Sequence, residues 1–186
     1  MLEIANNIAY AGLMVSAKRA QPSPILESLG ASRWIDVTSG GEDKWSEAEG
    51  AKVLKMLQKL RADGVAPDLY IVTPFVIVAE RLRQLVLKSN ILSDWVTEEP
   101  WTWVNARVGT VHAAQGREAE AVIFVLGAPN PAQSGARGWA GGRPNLLNVA
   151  VTRAKEALYV VGNRQLWREA GVFGELDARL KAADNL

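Results

Sequence analysis

A doubly wound α/β domain, with a mostly parallel sheet of about five strands and helices on both faces, is what this sequence predicts. Three observations carry the expectation. Short β-branched apolar runs recur near residues 35, 70, 108, 123 and 159. Most of them are separated by stretches with helical spacing. The runs are bounded by glycine and charge and apolar throughout rather than alternating, as befits strands buried on both faces. The 186 residues, with 48% hydrophobic content, suffice for one domain with a full core.

Taken in order, Ile4 to Leu13 has the spacing of a short helix, and Pro22 and Pro24 forbid its continuation. Trp34-Ile35-Asp36-Val37 reads as the first strand and Ser39-Gly40-Gly41 as a loop. Ser46 with Glu49 three residues later forms a capping box. The helix it opens carries Val53, Leu54, Leu57 and Leu60 on its apolar stripe, turns Lys55, Gln58 and Lys59 to water, and ends at Asp63-Gly64 and Pro67. Asp68 to Val72 is the next strand, with Thr73 as N-cap and Pro74 as first residue of a helix running from about Phe75 to Leu87. Trp95, Trp101 and Trp103 surround Glu98-Glu99-Pro100, whose carboxylates repel a phosphate backbone, so the three indoles are expected to pack in the core or a hairpin.

Two more strands, Val108 to Val111 and Ala121 to Leu126, flank a polar knot, Gln115-Gly116-Arg117-Glu118. The knot is expected near the carboxyl end of the first, where open α/β sheets bind ligands. The connection is barely long enough for a parallel crossover, so one helical turn is expected in it. Glu120 reads as a solvated charge. Ala128 to Pro144, rich in glycine and proline, reads as a long surface loop of the functional or mobile kind. Leu147 to Lys155 reads as a helix feeding a strand at Leu158 to Val161, and from Leu166 a helical tail presents Phe173, Leu176 and Leu180 as its apolar side.

Composition narrows the chemistry. With 21 basic and 20 acidic residues the formal charge is +1, so any nucleic-acid binding uses a local groove rather than a global field. Zero cysteines and one histidine remove thiolate and His-cluster metal sites and any cysteine nucleophile. No Gly-x-x-x-x-Gly-Lys-Ser/Thr phosphate cradle occurs in the sequence. The N-terminus lacks a basic segment, and Asn6 and Asn7 interrupt its apolar run, so neither a signal peptide nor a membrane span is read there and the expected location is cytoplasmic.

Thr110-Val-His112-Ala-Ala-Gln-Gly-Arg-Glu118, followed by Leu147-Asn-Val-Ala-Val-Thr-Arg-Ala-Lys155, resembles motifs V and VI of superfamily 1 helicases, in the wording of the branch that includes the RNA helicase of nonsense-mediated decay and its bacterial relatives. The resemblance spans roughly residues 30 to 167. It implies a RecA-like fold, here the second motor domain (residues 26–167), with residues 1–25 entering from a first motor domain and residues 168–186 forming a C-terminal helical tail. It implies that Arg153, in helical line with Leu146, Val149 and Ala150, is the arginine finger. By the same resemblance Gln115, Gly116, Arg117 and Glu118 line the nucleotide side, while Thr73, Pro74, Thr110, His112, Asn148 and Thr152 face nucleic acid. Family members often carry Asp where His112 stands. The implied cofactor is ATP with Mg2+, bound mainly by the first domain, and the implied partners are single-stranded DNA or RNA and that first RecA-like domain, with 5′ to 3′ movement. No metal site and no membrane contact are expected of the chain itself. Two other readings of the residues stand beside this one: a free-standing, non-catalytic nucleic-acid or partner-binding module, and a nucleotide-binding regulatory domain.

Overall fold

In the computed structural model, which describes residues 23–114 and 118–183, every predicted apolar run is a strand and every strand pairing is parallel. The strands are β1 (Arg33–Asp36), β2 (Leu69–Thr73), β3 (Val108–Thr110), β4 (Ala119–Val125) and β5 (Ala154–Gly162). A sixth, β6 (Lys181–Ala183), lies beyond the expected five, and the sheet order is β3-β2-β4-β5-β1-β6. All five residues of β2 are buried, as are Ala121 to Val125 of β4 and Ala157 to Gly162 of β5. Successive strand residues point to opposite faces, so both faces of the central sheet are covered.

The cover comes from α1 (Pro24–Leu29), α2 (Glu47–Ala62), α3 (Val76–Lys88), α4 (Pro100–Arg107), α5 (Ser134–Gly141), α6 (Pro144–Arg153), α7 (Arg164–Trp167) and α8 (Phe173–Arg179). The tail of the chain is therefore only partly helical. Phe173, Leu176 and Leu180 are buried as expected, but the backbone then joins the sheet edge beside β1 as β6. The expected helix over Ile4 to Leu13 lies outside the described residues.

Local chemistry explains most element ends, and three readings are corrected by tertiary contacts. The Ser46 hydroxyl caps α2 by accepting from Glu49 N at 3.3 Å. The reciprocal half of the capping box is not made: the Glu49 carboxylate turns inward and accepts from Gly127 N at 2.8 Å. A buried backbone N–H left unpaired costs about a full hydrogen bond, and the one emerging past β4 claims this carboxylate. Thr73 is not a helix cap. It ends β2, its hydroxyl accepts from Phe75 N at 3.4 Å, and α3 starts only at Val76 with Phe75 in the cap position. The presumed loop from Ala128 to Pro144 holds a 3-10 turn (Pro131–Gln133) and the helix α5, although three of the eight residues of α5 are glycine. Packing overrides propensity here. The Arg137 side chain, 4% exposed, donates to the carbonyls of Ala128 (2.8 Å), Asn130 (2.7 Å) and Pro131 (2.9 Å). Gly141 lies so close to Ala170 that a Cβ there would sit 2.3 Å from its carbonyl oxygen.

Smaller departures follow the same logic. Trp103 is buried and Trp95 half-buried, donating to Val65 O at 3.0 Å, but Trp101 on the first turn of α4 is 61% exposed rather than packed. The fifth strand begins at Ala154, immediately after the helix, because Ala154 pairs with Ala119 of β4. The connection from β3 to β4 contains the expected single turn, a 3-10 helix over Val111–Ala114, but β3 and β4 are not neighbours: β2 lies between them. Behind the sheet, Trp167 meets Phe173 edge to face at 4.6 Å and donates to Gly127 O at 2.9 Å. Burying each such ring contributes about 1.5–3 kcal/mol.

Candidate functional site

The connections after β2 and β4 leave in opposite directions, toward β3 on one side and β5 on the other. Their carboxyl ends therefore flank a topological switch point, the crevice in which open α/β sheets bind ligands. Thr73 and Thr110, from two separate stretches of the sequence, are register partners at the ends of β2 and β3 beside it. His112 is exposed on the 3-10 turn that follows. Thr73 and Pro74 themselves are buried. What this turn presents outward is Val76, 65% exposed, and the first turn of α3, which has no side-chain cap. Any ligand contact here runs through backbone N–H groups, which suit anions.

The opposite edge carries the other candidates. Ala119 and Ala154 are register partners at the amino ends of β4 and β5, so Glu118 and Arg153, each one residue earlier, both lie at this amino edge. Glu118 is exposed and Arg153 half-buried. The knot's described residue is thus at the amino end of β4, not at the carboxyl end of β3, because the chain crosses from one edge to the other between them. Gln115, Gly116 and Arg117 lie outside the described residues. Seven residues of β4 separate the edges, on the order of 20 Å at the usual strand rise.

The helix α6 ends at the amino edge and packs on the 3-10 turn after β3, so the two motifs are in contact. Its last turn places Thr152 beside Arg153, and an Arg153 guanidinium nitrogen donates to the Thr152 hydroxyl at 3.3 Å, while that hydroxyl is 3.2 Å from Val149 O. Thr152 therefore belongs with Arg153 at the amino edge and not with Thr73 and Thr110. Asn148, one turn earlier and half-buried, has a buried Oδ1 that meets no donor among the described residues.

Several residues to which the sequence assigned no site role shape these edges. Glu120 is not a solvated charge: it accepts from the Ser23 hydroxyl and from Ile25 N at 3.1 Å, tying the start of α1 to β4. Asp68 accepts from Arg107 at 2.8 Å and from Glu120 N at 3.2 Å, closing the amino end of β2. Glu49 is 1% exposed, and burial pushes its carboxyl up to about 8, the hydrogen bond from Gly127 N opposing. Burial also lowers the Arg137 guanidinium, opposed by the charge of Glu169. Only the position of Glu49, facing the apolar stripe on α2, signalled any of these in advance. Among the described residues no group of His, Cys, Asp and Glu is placed to hold a metal ion, and no helix is long and apolar enough to cross a membrane.

The fold is a RecA-like α/β domain, and a solved structure described as the C-terminal domain of a possible DNA helicase from Lactobacillus plantarum superposes on it with a TM-score of 0.50, covering 87% of this chain and 91% of that one at 16% identity. A family model described as an AAA domain matches residues 2–165, and the chain belongs to that family. Among curated proteins it is 29% identical over 129 residues to the regulator of nonsense transcripts 1 homolog of Neurospora crassa and 28% identical over 129 residues to the ATP-dependent helicase NAM7 of Saccharomyces cerevisiae, each match covering 69% of this chain. It is 29% identical over 180 residues to the 5'-3' DNA helicase ZGRF1 of Mus musculus, covering 93% of the chain. The chain spans 11%, 12% and 9% of the lengths of these relatives, respectively. By its fold and family the chain is a RecA-like AAA domain, similar in sequence to helicases over most of its length.

Proposed function

We propose that this domain completes an ATP-dependent helicase motor, supplying the arginine finger and part of the single-strand surface to a first RecA-like domain that carries the phosphate cradle. The observation that supports it best is the division of the motif residues between two edges: Thr73 paired with Thr110 at one, Glu118 and Arg153 at the other. A motor needs both surfaces, and a sheet about 20 Å across keeps them apart while α6 and the turn it packs on join them.

At the amino edge the donor set is a guanidinium and a carboxylate, which fits one side of a nucleotide and not a whole pocket. ATP with Mg2+ would be held mainly by the first domain, with Gln115, Gly116, Arg117 and Glu118 lining the near side. When bound, it supplies phosphoryl transfer to water. Arg153 presents a fixed positive charge toward the γ-phosphate, where negative charge develops in the transition state. Thr152 is a positioning residue for it through the 3.3 Å contact. At the carboxyl edge the open first turn of α3, with Thr110 and His112, receives single-strand phosphates, which positions the strand without reading its sequence. Residues 26–167 then form the motor domain.

Arg153→Ala in the motor that contains both domains tests this reading. Turnover should fall on the order of 10³-fold or more while nucleotide and nucleic-acid binding persist. Arg153→Lys should restore little, because an ammonium lacks the planar fork. Normal turnover in folded Arg153→Ala motor refutes the assignment. It leaves the reading of the chain as a non-catalytic binding module, which would use the carboxyl edge alone.

A further inference from the structure

Across the switch-point crevice runs a row of four side chains that the reading above gives no role. Lys44 Nζ lies 5.6 Å from the Phe75 ring centroid, Phe75 lies 6.0 Å from Trp139, and the Arg143 guanidinium lies 4.2 Å over the Trp139 ring. Phe75 caps α3 after β2, while Trp139 sits on α5 after β4, so the two rings meet from the two connections that diverge at the crevice. Lys44 is fixed there by its carbonyl, which accepts from Ala128 N at 2.9 Å.

We infer that Trp139, backed by Phe75 and flanked by Arg143 and Lys44, is a stacking subsite for one unpaired nucleobase of a single strand. The inference rests on the nucleic-acid reading of the carboxyl edge above and adds a base contact to its phosphate contacts. Phe75 is almost fully buried, whereas Trp139 is 43% exposed, so only the indole is available to a ligand. Its position is built rather than incidental. A glycine-rich helix that would not hold its shape alone is held by the three hydrogen bonds of Arg137 and by the close fit of Gly141 on Ala170, and what that helix turns outward is this indole.

Charge and energetics favour a nucleic acid over an apolar partner. Two cations bracket the rings, and an apolar surface would leave both desolvated without partners. With no strand bound, Arg143 covers the indole and is anchored by its hydrogen bond to Trp139 O at 3.2 Å. A cation–π contact at an exposed site is worth only about 2- to 5-fold in an equilibrium. Base stacking on an aromatic side chain is worth about 5- to 150-fold. A base therefore displaces the guanidinium from the ring face, and Arg143 turns to the adjacent phosphate as a charge-assisted partner.

Anisotropy titrations of labelled oligothymidylate, and of an abasic strand of equal length, onto the chain test this. Wild type should prefer the base-bearing strand, and Trp139→Ala should lose about 5- to 150-fold on that strand while binding the abasic strand unchanged. Trp139→Phe should restore part of the loss. Arg143→Ala should weaken both strands. Crosslinking of a strand carrying 5-iodouracil to the unsubstituted chain should fall on Trp139, a result that needs no variant to fold. Equal preference for the base-bearing strand in wild type and folded Trp139→Ala, or crosslinks elsewhere, overturns the subsite and leaves the phosphate surface standing. Failure of wild type to bind either strand overturns both.

Discussion

Replacing Glu49 with glutamine should abolish a pH dependence of stability that the buried carboxyl imposes. In the folded chain this group is pushed up to about 8, against an ordinary value of 4.5. Between those values the unfolded chain has released the proton and the folded chain still holds it, so the folded state binds more protons and stability falls as pH rises. The contribution is intact below 4.5, declines through the interval, and is fully lost above about 8. At 1.36 kcal/mol per pH step the interval amounts to on the order of 5 kcal/mol, an upper figure because a buried carboxylate relaxes and admits water. A chain of this size shifts by about 2–4 °C per kcal/mol, so wild type should lose on the order of 10 °C in Tm between pH 5 and pH 9 through this one group. Glu49→Gln keeps an oxygen for Gly127 N and has nothing to ionise. Its amide also lacks a partner, so the variant carries a constant offset, and the difference in slope is the signature. Thermal melts by circular dichroism of both proteins across that range provide the measurement. Parallel curves would show that Glu49 ionises freely in the folded chain and that its burial has no energetic consequence.

Three further outcomes are expected. Gly127→Ala should destabilise by about 1–3 kcal/mol in urea unfolding, since residue 127 has φ +63° and a Cβ there would lie 2.7 Å from Lys44 O. Arg137→Met, which keeps bulk but leaves the carbonyls of residues 128, 130 and 131 without their donor, should cost on the order of 3 kcal/mol and also weaken base-bearing strands through loss of the Trp139 platform; unchanged stability would mean that α5 stands without it. Single-strand affinity of the wild-type chain should decline linearly in log–log against salt, with the shallow slope of a few phosphate contacts, and a flat salt series would argue against a phosphate surface.

The sheet was legible because its longest strands each hold an unbroken apolar run, and the motifs were legible because their residue types and order are specific. Strand order was not. Nothing in the residues between Thr110 and Ala119 says that β2 lies between β3 and β4, nor that Glu118 stands at the amino end of β4. Propensity misled at Ala128 to Pro144 for a physical reason: glycine weakens a helix in isolation, but Arg137 satisfies three carbonyls at once and no local pattern encodes that. Thr73 and Pro74 match a common helix start, yet β2 continues through Thr73 because that residue pairs with Thr110. Glu49 was correctly placed at a helix start and wrongly paired, since its partner is 78 positions away.

The sheet also ends in a way that bears on how the chain behaves at high concentration. Its longest strands, β4 and β5 with seven and nine residues, are interior, while the margins are β3 and β6, each of three residues. A long, flat margin of unpaired backbone groups is a template for joining to another molecule, and three residues offer very little of one. Association of folded copies by sheet extension is therefore disfavoured, and aggregation of this protein on storage should begin from partly unfolded chains that expose β4 or β5.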